Sequence, residues 1–280
     1  MKFQEKLDKI VKKNNSLLCV GLDSDFEKIP PRFKKKKQPL FEFNKNIIDQ
    51  THDLVCAYKP NSAFYEALGL NGILALKFTC HYLQKNYPQI PIILDAKRGD
   101  IGSTNEAYAK FIFDFLGVDA VTIHPYLGME ANLPFLNRKD KGIIILCRTS
   151  NPGAGELQDL SASIHNITDD RRKSRNKESL YIHIAKKVVS EWNINGNCLL
   201  VVGATYPKEL AEIRKLAGDM TFLVPGVGTQ GGDVGKTVKA GLNSKKAGMI
   251  INSSRSIIFT DNPRSEAVKL REEINKYRLT

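Results

Sequence analysis

Short apolar runs alternate along the chain with segments whose apolar positions recur every three or four residues. Eight runs read as strands: Leu17–Leu22, Leu54–Lys59, Pro91–Ala96, Ala120–His124, Gly142–Cys147, Cys198–Gly203, Phe222–Gly226 and Gly248–Asn252. They are continuously apolar and rich in β-branched residues, which is the pattern of strands covered on both faces of a parallel sheet. Between them, Ile73–Tyr82, Glu106–Leu116, Leu180–Trp192, Pro207–Leu216 and Asp233–Ala240 show helical periodicity, and Pro263–Tyr277 closes the chain in the same way. Pro207 and Pro263 stand where helices open, and Gly117 and Gly241 where they end. Proline suits a first helical turn, and glycine accepts the left-handed stop.

Strand then helix, eight times over, predicts an α/β fold of the (β/α)8 TIM-barrel type, one domain over residues 1–280. A doubly wound sheet is the alternative arrangement of the same elements. An N-terminal helix is expected within Met1–Asn15, where Phe3, Leu7, Ile10 and Val11 share helical spacing. Two stretches break the rhythm. Residues 24–40 lengthen the first connection, and residues 151–178 form a polar insertion that includes Asp169-Asp170-Arg171-Arg172-Lys173. A connection that long in a compact domain is often functional.

The composition, 42% apolar and 26% charged, is that of an ordinary globular protein. No apolar run approaches the roughly 20 residues of a membrane helix. The lysine-rich N-terminus also lacks the apolar stretch of a signal peptide. A cytoplasmic protein with no membrane partner is therefore expected. Cys19, Cys56, Cys80, Cys147 and Cys198 show no C-x-x-C spacing, so they read as reduced, structural and metal-free.

The net charge of +12 raises the question of nucleic acid. Its basic residues are dispersed, however, and the one dense run, Lys34–Lys37, follows Pro30-Pro31 in what reads as an exposed connection. No stacking aromatics interleave the basic runs, so no nucleic-acid partner is expected.

In a barrel, reactive groups sit at the C-terminal ends of the strands. Those ends carry Asp23, Lys59, Asp95 with Lys97, His124, Arg148 with Ser150, the stretch Pro225–Gly232, and Asn252–Arg255. The densest is Asp95-Ala-Lys97-Arg-Gly-Asp100. Strand alternation predicts that Asp95 and Lys97 project to the same side. The carboxylate then favours the ammonium, keeping a proton available on Lys97. A structural ion pair closing the barrel mouth is the other reading of that spacing.

Residues 226–231 spell G-x-G-x-x-G, but no acidic residue ends the following strand to hold a ribose, which weakens a dinucleotide reading. Loops after the seventh and eighth strands of a barrel often bind phosphate through backbone N–H groups and a helix N-terminus. Arg255 adds a planar fork for phosphate oxygens, although a plain glycine-rich turn fits the same residues. His124 reads as structural within its loop, and His81 as an ordinary helix residue.

Taken together, Gly21-Leu-Asp23, Tyr58-Lys59-Pro60-Asn61, Asp95-Ala-Lys97-Arg-Gly-Asp100-Ile101-Gly-Ser-Thr104, Thr149-Ser150-Asn-Pro-Gly and Pro225-Gly-Val-Gly-Thr-Gln230-Gly-Gly resemble the orotidine 5′-phosphate decarboxylase family. The likeness extends over about residues 15 to 260, in that family's order and at the expected strand ends. The long insertions resemble the branch found in many bacteria and in malaria parasites.

The resemblance implies decarboxylation of orotidine monophosphate (OMP) to uridine monophosphate (UMP) in pyrimidine biosynthesis, with no cofactor and no metal. It also implies a homodimer with shared active sites. Lys97 resembles the proton donor to C6 and Asp95 the carboxylate beside the scissile group. Asp100 resembles an aspartate lent across the dimer interface, and Lys59 the link from this network to the ribose. Asp23 and Asn61 would bind ribose hydroxyls, while Ile101 and Thr104 would reach the neighbouring subunit's ligand. Ser150 would meet the pyrimidine amide edge. Gln230 and Arg255, with the backbone near Pro225 and Gly226, would hold the phosphate. The compact version of the family lacks so long a 151–178 segment, so what covers the base is not carried over.

Three rivals differ in what they require. Sugar-phosphate decarboxylases and aldolases of the same superfamily share D-x-K-x-x-D but use Mg2+ with an acidic residue ending strand two. Here that position is Lys59, which cannot ligate a hard cation. A nucleic-acid-binding protein requires salt-dependent binding. A catalytically silent barrel that senses nucleotides differs only in an assay.

Overall fold

A computed structural model of the chain describes residues 1–163, 177–227 and 231–278. Gln230 and the tract Asp169–Lys173 lie outside the described residues. Among the described residues, eight parallel strands share one sheet: β1 (Leu18–Leu22), β2 (Ala57–Pro60), β3 (Ile93–Arg98), β4 (Ala120–Ile123), β5 (Gly142–Arg148), β6 (Cys198–Val202), β7 (Phe222–Val224) and β8 (Met249–Ser253). Hydrogen-bonded neighbours run β2-β1-β8-β7-β6-β5-β4-β3. The two ends of that order meet at the parallel bridges Tyr58↔Ile92 and Asn61↔Asp95. Sequence order thus runs unbroken around a ring. This is a barrel and not a doubly wound sheet, which would reverse its order at a switch point.

β1, β4, β6 and β8 are buried throughout, as continuous apolar runs require. The strand expected from Leu54 begins only at Ala57. Leu54, Val55 and Cys56 are equally buried ahead of it, so hydrophobicity alone extends it too far. The third strand runs on to Arg98 instead of ending at Ala96. Helices Pro39–Thr51 and Gly128–Leu136 add to those read from periodicity, and the helix expected at Ile73–Tyr82 spans Gly69–Asn86. Gly241 is the last residue of its helix and not the stop beyond it. A Cβ there would lie 2.4 Å from Met249 Cε, so packing against β8 explains the glycine better than a cap does.

The N-terminal helix Phe3–Asn14 seals the bottom of the barrel. Lys6 pairs with Asp119 at 2.8 Å, just before β4. Gln4 accepts from Thr221 at 3.0 Å, just before β7. Phe3 lies where a Cβ on Gly142, the first residue of β5, would come within 2.6 Å of its ring. The opposite, C-terminal end remains open.

Part of the insertion folds as short helical turns at Pro152–Ala154 and Gly155–Gln158 and as an antiparallel pair, Ser161–Ser163 with Lys177–Ser179. Lys35, Lys36 and Lys37 are exposed, and all five cysteines are buried and free. Among the described residues, no helix is long and apolar enough to cross a membrane.

Candidate active site

A cavity of about 480 Å³ opens at the C-terminal mouth. It is lined by residues from the ends of β1, β2, β3 and β5 and by the loops after β7 and β8. Asp23, Lys59, Asn61, Asp95, Lys97, Ser150, Pro225, Gly226 and Arg255 all reach it. Asp100, Ile101 and Thr104 are not among its lining residues.

At its floor, Asp95 is held between two ammonium groups. Lys59 Nζ donates to Asp95 Oδ2 at 2.7 Å, and Lys97 Nζ donates to Oδ1 at 2.7 Å. Burial pushes the Asp95 carboxyl upward, but the charges of Lys59 and Lys97 outweigh it and hold the carboxyl well below its usual range. For Lys59, burial disfavours the ammonium. The carboxylates of Asp95 and Asp23 more than offset this and hold its pKa above the ordinary lysine value. Asp95 and Lys59 are therefore both charged, although Lys59 is only 3% exposed. Lys97 differs in access, with about half of its side chain, 51%, open to solvent.

Strand alternation is not what aligns Asp95 with Lys97. The β3–β4 register shifts between Leu94 and Arg98, and Lys97 has φ of +46°, in the left-handed region. The amides of Ala96 and Lys97 both donate to Thr122 Oγ1 at 3.0 Å, and Thr122 Oγ1 donates to Asp95 Oδ1 at 2.9 Å. The shared side coincides with this break in register.

Immediately beyond, His124 Nε2 lies 2.9 Å from the Gly99 carbonyl. A Cβ at Gly99 would come within 2.4 Å of that nitrogen. His124 therefore props the loop after β3 and does not line the cavity, in keeping with a structural role.

Asp23 Oδ1 is buried, lacks a hydrogen-bond partner and lies 3.9 Å from Lys59 Nζ. Such an acceptor is costly unless a ligand or water satisfies it. Asn61 caps the short helix Ser62–Glu66 by accepting from the Ala63 amide at 3.2 Å. Just past the end of β7, Gly226 has φ of +98°, and its carbonyl accepts from Gly232 N at 3.1 Å. Arg255, exposed, opens the short helix Arg255–Ile258 beside it. The helix N-terminus expected to contribute here is already engaged in part. Asp233 caps helix Val234–Gly241 by accepting from Lys236 N at 2.7 Å.

Asp100, Ile101 and Thr104 lie on the segment that leads from β3 into helix Gly102–Ala109. Asp100 Oδ1 accepts from Ile101 N at 2.7 Å, and its backbone N–H donates to Asn105 Oδ1 at 3.0 Å. Ile101 is 64% exposed.

Periodicity and spacing pass over two polar lining residues, Thr122 and Gln158. Thr122 sits in an apolar run and reads as a β-branched core residue. Gln158 carries no signal within a polar insertion. Its side chain bridges Arg148 and Thr149, accepting from Arg148 Nη1 at 3.2 Å and Thr149 N at 2.9 Å. Among the described residues, no group of three or more His, Cys, Asp or Glu side chains is placed to hold a metal.

Fold and site together define a (β/α)8-barrel protein whose C-terminal mouth holds a buried carboxylate between two lysines, with Arg255 on the same cavity. Residues 16–270 match the Orotidine 5′-phosphate decarboxylase / HUMPS family, and the chain belongs to it. It is 49% identical over 284 residues to the orotidine 5′-phosphate decarboxylase of Cellvibrio japonicus, covering 98% of each chain. The structure of Leishmania donovani OMP decarboxylase superposes with a TM-score of 0.85 at 38% identity, covering 100% of both chains. That of Leishmania donovani UMP synthase does so with a TM-score of 0.86 at 40% identity, covering 100% of this chain and 57% of that one.

Proposed function

We infer that this chain is a carboxy-lyase that converts OMP to UMP and CO2, the decarboxylation step of pyrimidine nucleotide synthesis. The observation that carries the reading is the Asp95 carboxylate held between Lys59 and Lys97, with the Lys97 ammonium open to the cavity. Family membership agrees with it.

The residue types suit the chemistry. When the C6–carboxylate bond breaks, CO2 leaves and the electron pair stays at C6, with no neighbouring group to delocalise it. The Lys97 ammonium, fixed beside C6, stabilises that charge as it develops. It then transfers a proton from Nζ to C6, giving UMP and a neutral amine that solvent reprotonates. Asp95 keeps Lys97 in place and sets a second negative charge beside the substrate carboxylate.

The remaining contacts orient the nucleotide. Asp23, whose Oδ1 lacks a partner, and Asn61 take the ribose hydroxyls, and Lys59 ties them to Asp95. Ser150 meets the amide edge of the base. Arg255, Gln230 and the backbone at Pro225 and Gly226 hold the phosphate. Binding there is remote from C6 and can be spent on orienting the base. Asp100, Ile101 and Thr104 serve the site of a second chain, so the working unit is a homodimer with two shared sites. Their position outside this chain's cavity supports that assignment. The partners are OMP and a second copy of the chain, not nucleic acid or membrane, and the setting is the cytoplasm.

Purified protein in excess EDTA tests this reading against the Mg2+-dependent sugar-phosphate chemistry of related barrels. OMP absorbance should decay at an undiminished rate. A strict requirement for added Mg2+ would overturn the assignment.

A further inference from the structure

Thr122, in β4, is 1% exposed, and its hydroxyl is saturated. A threonine hydroxyl has one proton to donate and two lone pairs to accept with. Here the proton goes to Asp95 Oδ1 at 2.9 Å, and the lone pairs take the amides of Ala96 and Lys97, each at 3.0 Å. One side-chain atom on β4 therefore binds three successive residues of β3.

Two features of the site depend on those bonds. Lys97 is a non-glycine residue at φ +46°, a conformation that L side chains adopt only when the surroundings impose it. At this point the β3–β4 register breaks, between Leu94 and Arg98, and the Ala96 and Lys97 amides meet the Thr122 hydroxyl. In addition, Asp95 Oδ1 receives both Lys97 Nζ and Thr122 Oγ1, while Oδ2 receives Lys59 Nζ. The hydroxyl thus sets the plane of the carboxylate, so that one oxygen faces each lysine.

We propose that Thr122 is a positioning residue for the reaction: its hydroxyl holds the Lys97 backbone and the Asp95 carboxylate in the arrangement that aims the Lys97 ammonium into the cavity. This rests on the decarboxylase reading above. Thr122 acts through Asp95 and Lys97 and need not touch the nucleotide.

The test compares Thr122→Val, which keeps the branched shape and removes the hydroxyl, with Thr122→Ser, which keeps the hydroxyl. For Thr122→Val, kcat on OMP should fall on the order of tenfold or more, as expected for losing bonds to a charged group. KM and UMP affinity should stay within about twofold, because only the transition-state arrangement is lost. Thr122→Ser should recover most of the turnover. If Thr122→Val does not fold, Thr122→Ala, which leaves room for water, takes its place in the same comparison.

Parental kcat in the hydroxyl-less variant overturns the proposal. So does equal impairment of the serine variant, which would assign the role to the methyl group. So does a parallel loss of UMP affinity and turnover, which would indicate general damage. Absence of OMP turnover in the parent protein is a different result, and it strikes the decarboxylase reading itself.

Discussion

Lys97 places its ammonium 2.7 Å from Asp95 Oδ1 from a left-handed backbone position, with φ of +46°. The contact is one that regular strand alternation also suggests, yet it forms where the register against β4 breaks. The strain is tolerated because Asp95, Lys59 and Thr122 over-determine the site.

Asp95 makes the acid stability of the protein depend on this network. Its folded pKa lies below the ordinary 3.8, so its stabilising contribution is present above about pH 4 and is lost as pH falls through the folded value. Between those limits the unfolded chain binds one more proton than the folded one. That adds up to about 1.4 kcal/mol of lost stability per pH unit. Asp95→Asn should show a shallower fall in unfolding free energy between roughly pH 4 and pH 2. Denaturant titrations of both proteins across that range check it. Identical acid slopes would mean that Asp95 is not held ionised by its neighbours.

Arg255 is exposed and lines the cavity beside Gly226, so replacing it should leave the fold intact. Arg255→Ala should lower kcat/KM for OMP by several kcal/mol, given about 1.5–3 kcal/mol for each bond to a charged group. Orotidine, which lacks the phosphate, should be a poor substrate for the parent and nearly indifferent to the change. Steady-state kinetics on both substrates decide the matter. Equal losses on the two would make Arg255 structural.

The barrel was legible because its strands are buried on both faces and read as unbroken apolar runs. Their C-terminal ends were legible too, since Asp23, Lys59, Asp95 and Lys97 interrupt that apolarity where a mouth must be. What could not be read depends on register. Thr122 faces Asp95 only because β4 pairs with β3 and the pairing slips after Leu94. Nothing in Ala120–His124 distinguishes that threonine from a core residue. Gln158 is similar, since its meeting with Arg148 and Thr149 depends on how the insertion folds back. Gly241 misled for the converse reason, because a tertiary contact with Met249 requires it and not a helix stop.

Asp100 lies outside the cavity of its own chain while Lys97 lines it, which makes subunit complementation a sharp test of the proposed shared site. Lys97→Ala and Asp100→Ala homodimers should each be inactive. After subunit exchange, a heterodimer holds one site with both lesions and one with neither. Activity should return to about half the parental value per heterodimer, as one intact site of two requires. A mixture that stays inactive after demonstrated exchange would show that each chain builds its own site.

The central claim is that the Lys97 ammonium carries the chemistry while other groups hold the nucleotide. Lys97 is half exposed, so Lys97→Ala should fold normally. The decisive measurement pairs OMP turnover with UMP binding in that single variant. Turnover should fall below detection while UMP still binds measurably, because the proposed phosphate and ribose contacts lie elsewhere in the cavity. Turnover near the parental rate would contradict the account and remove Lys97 from the reaction.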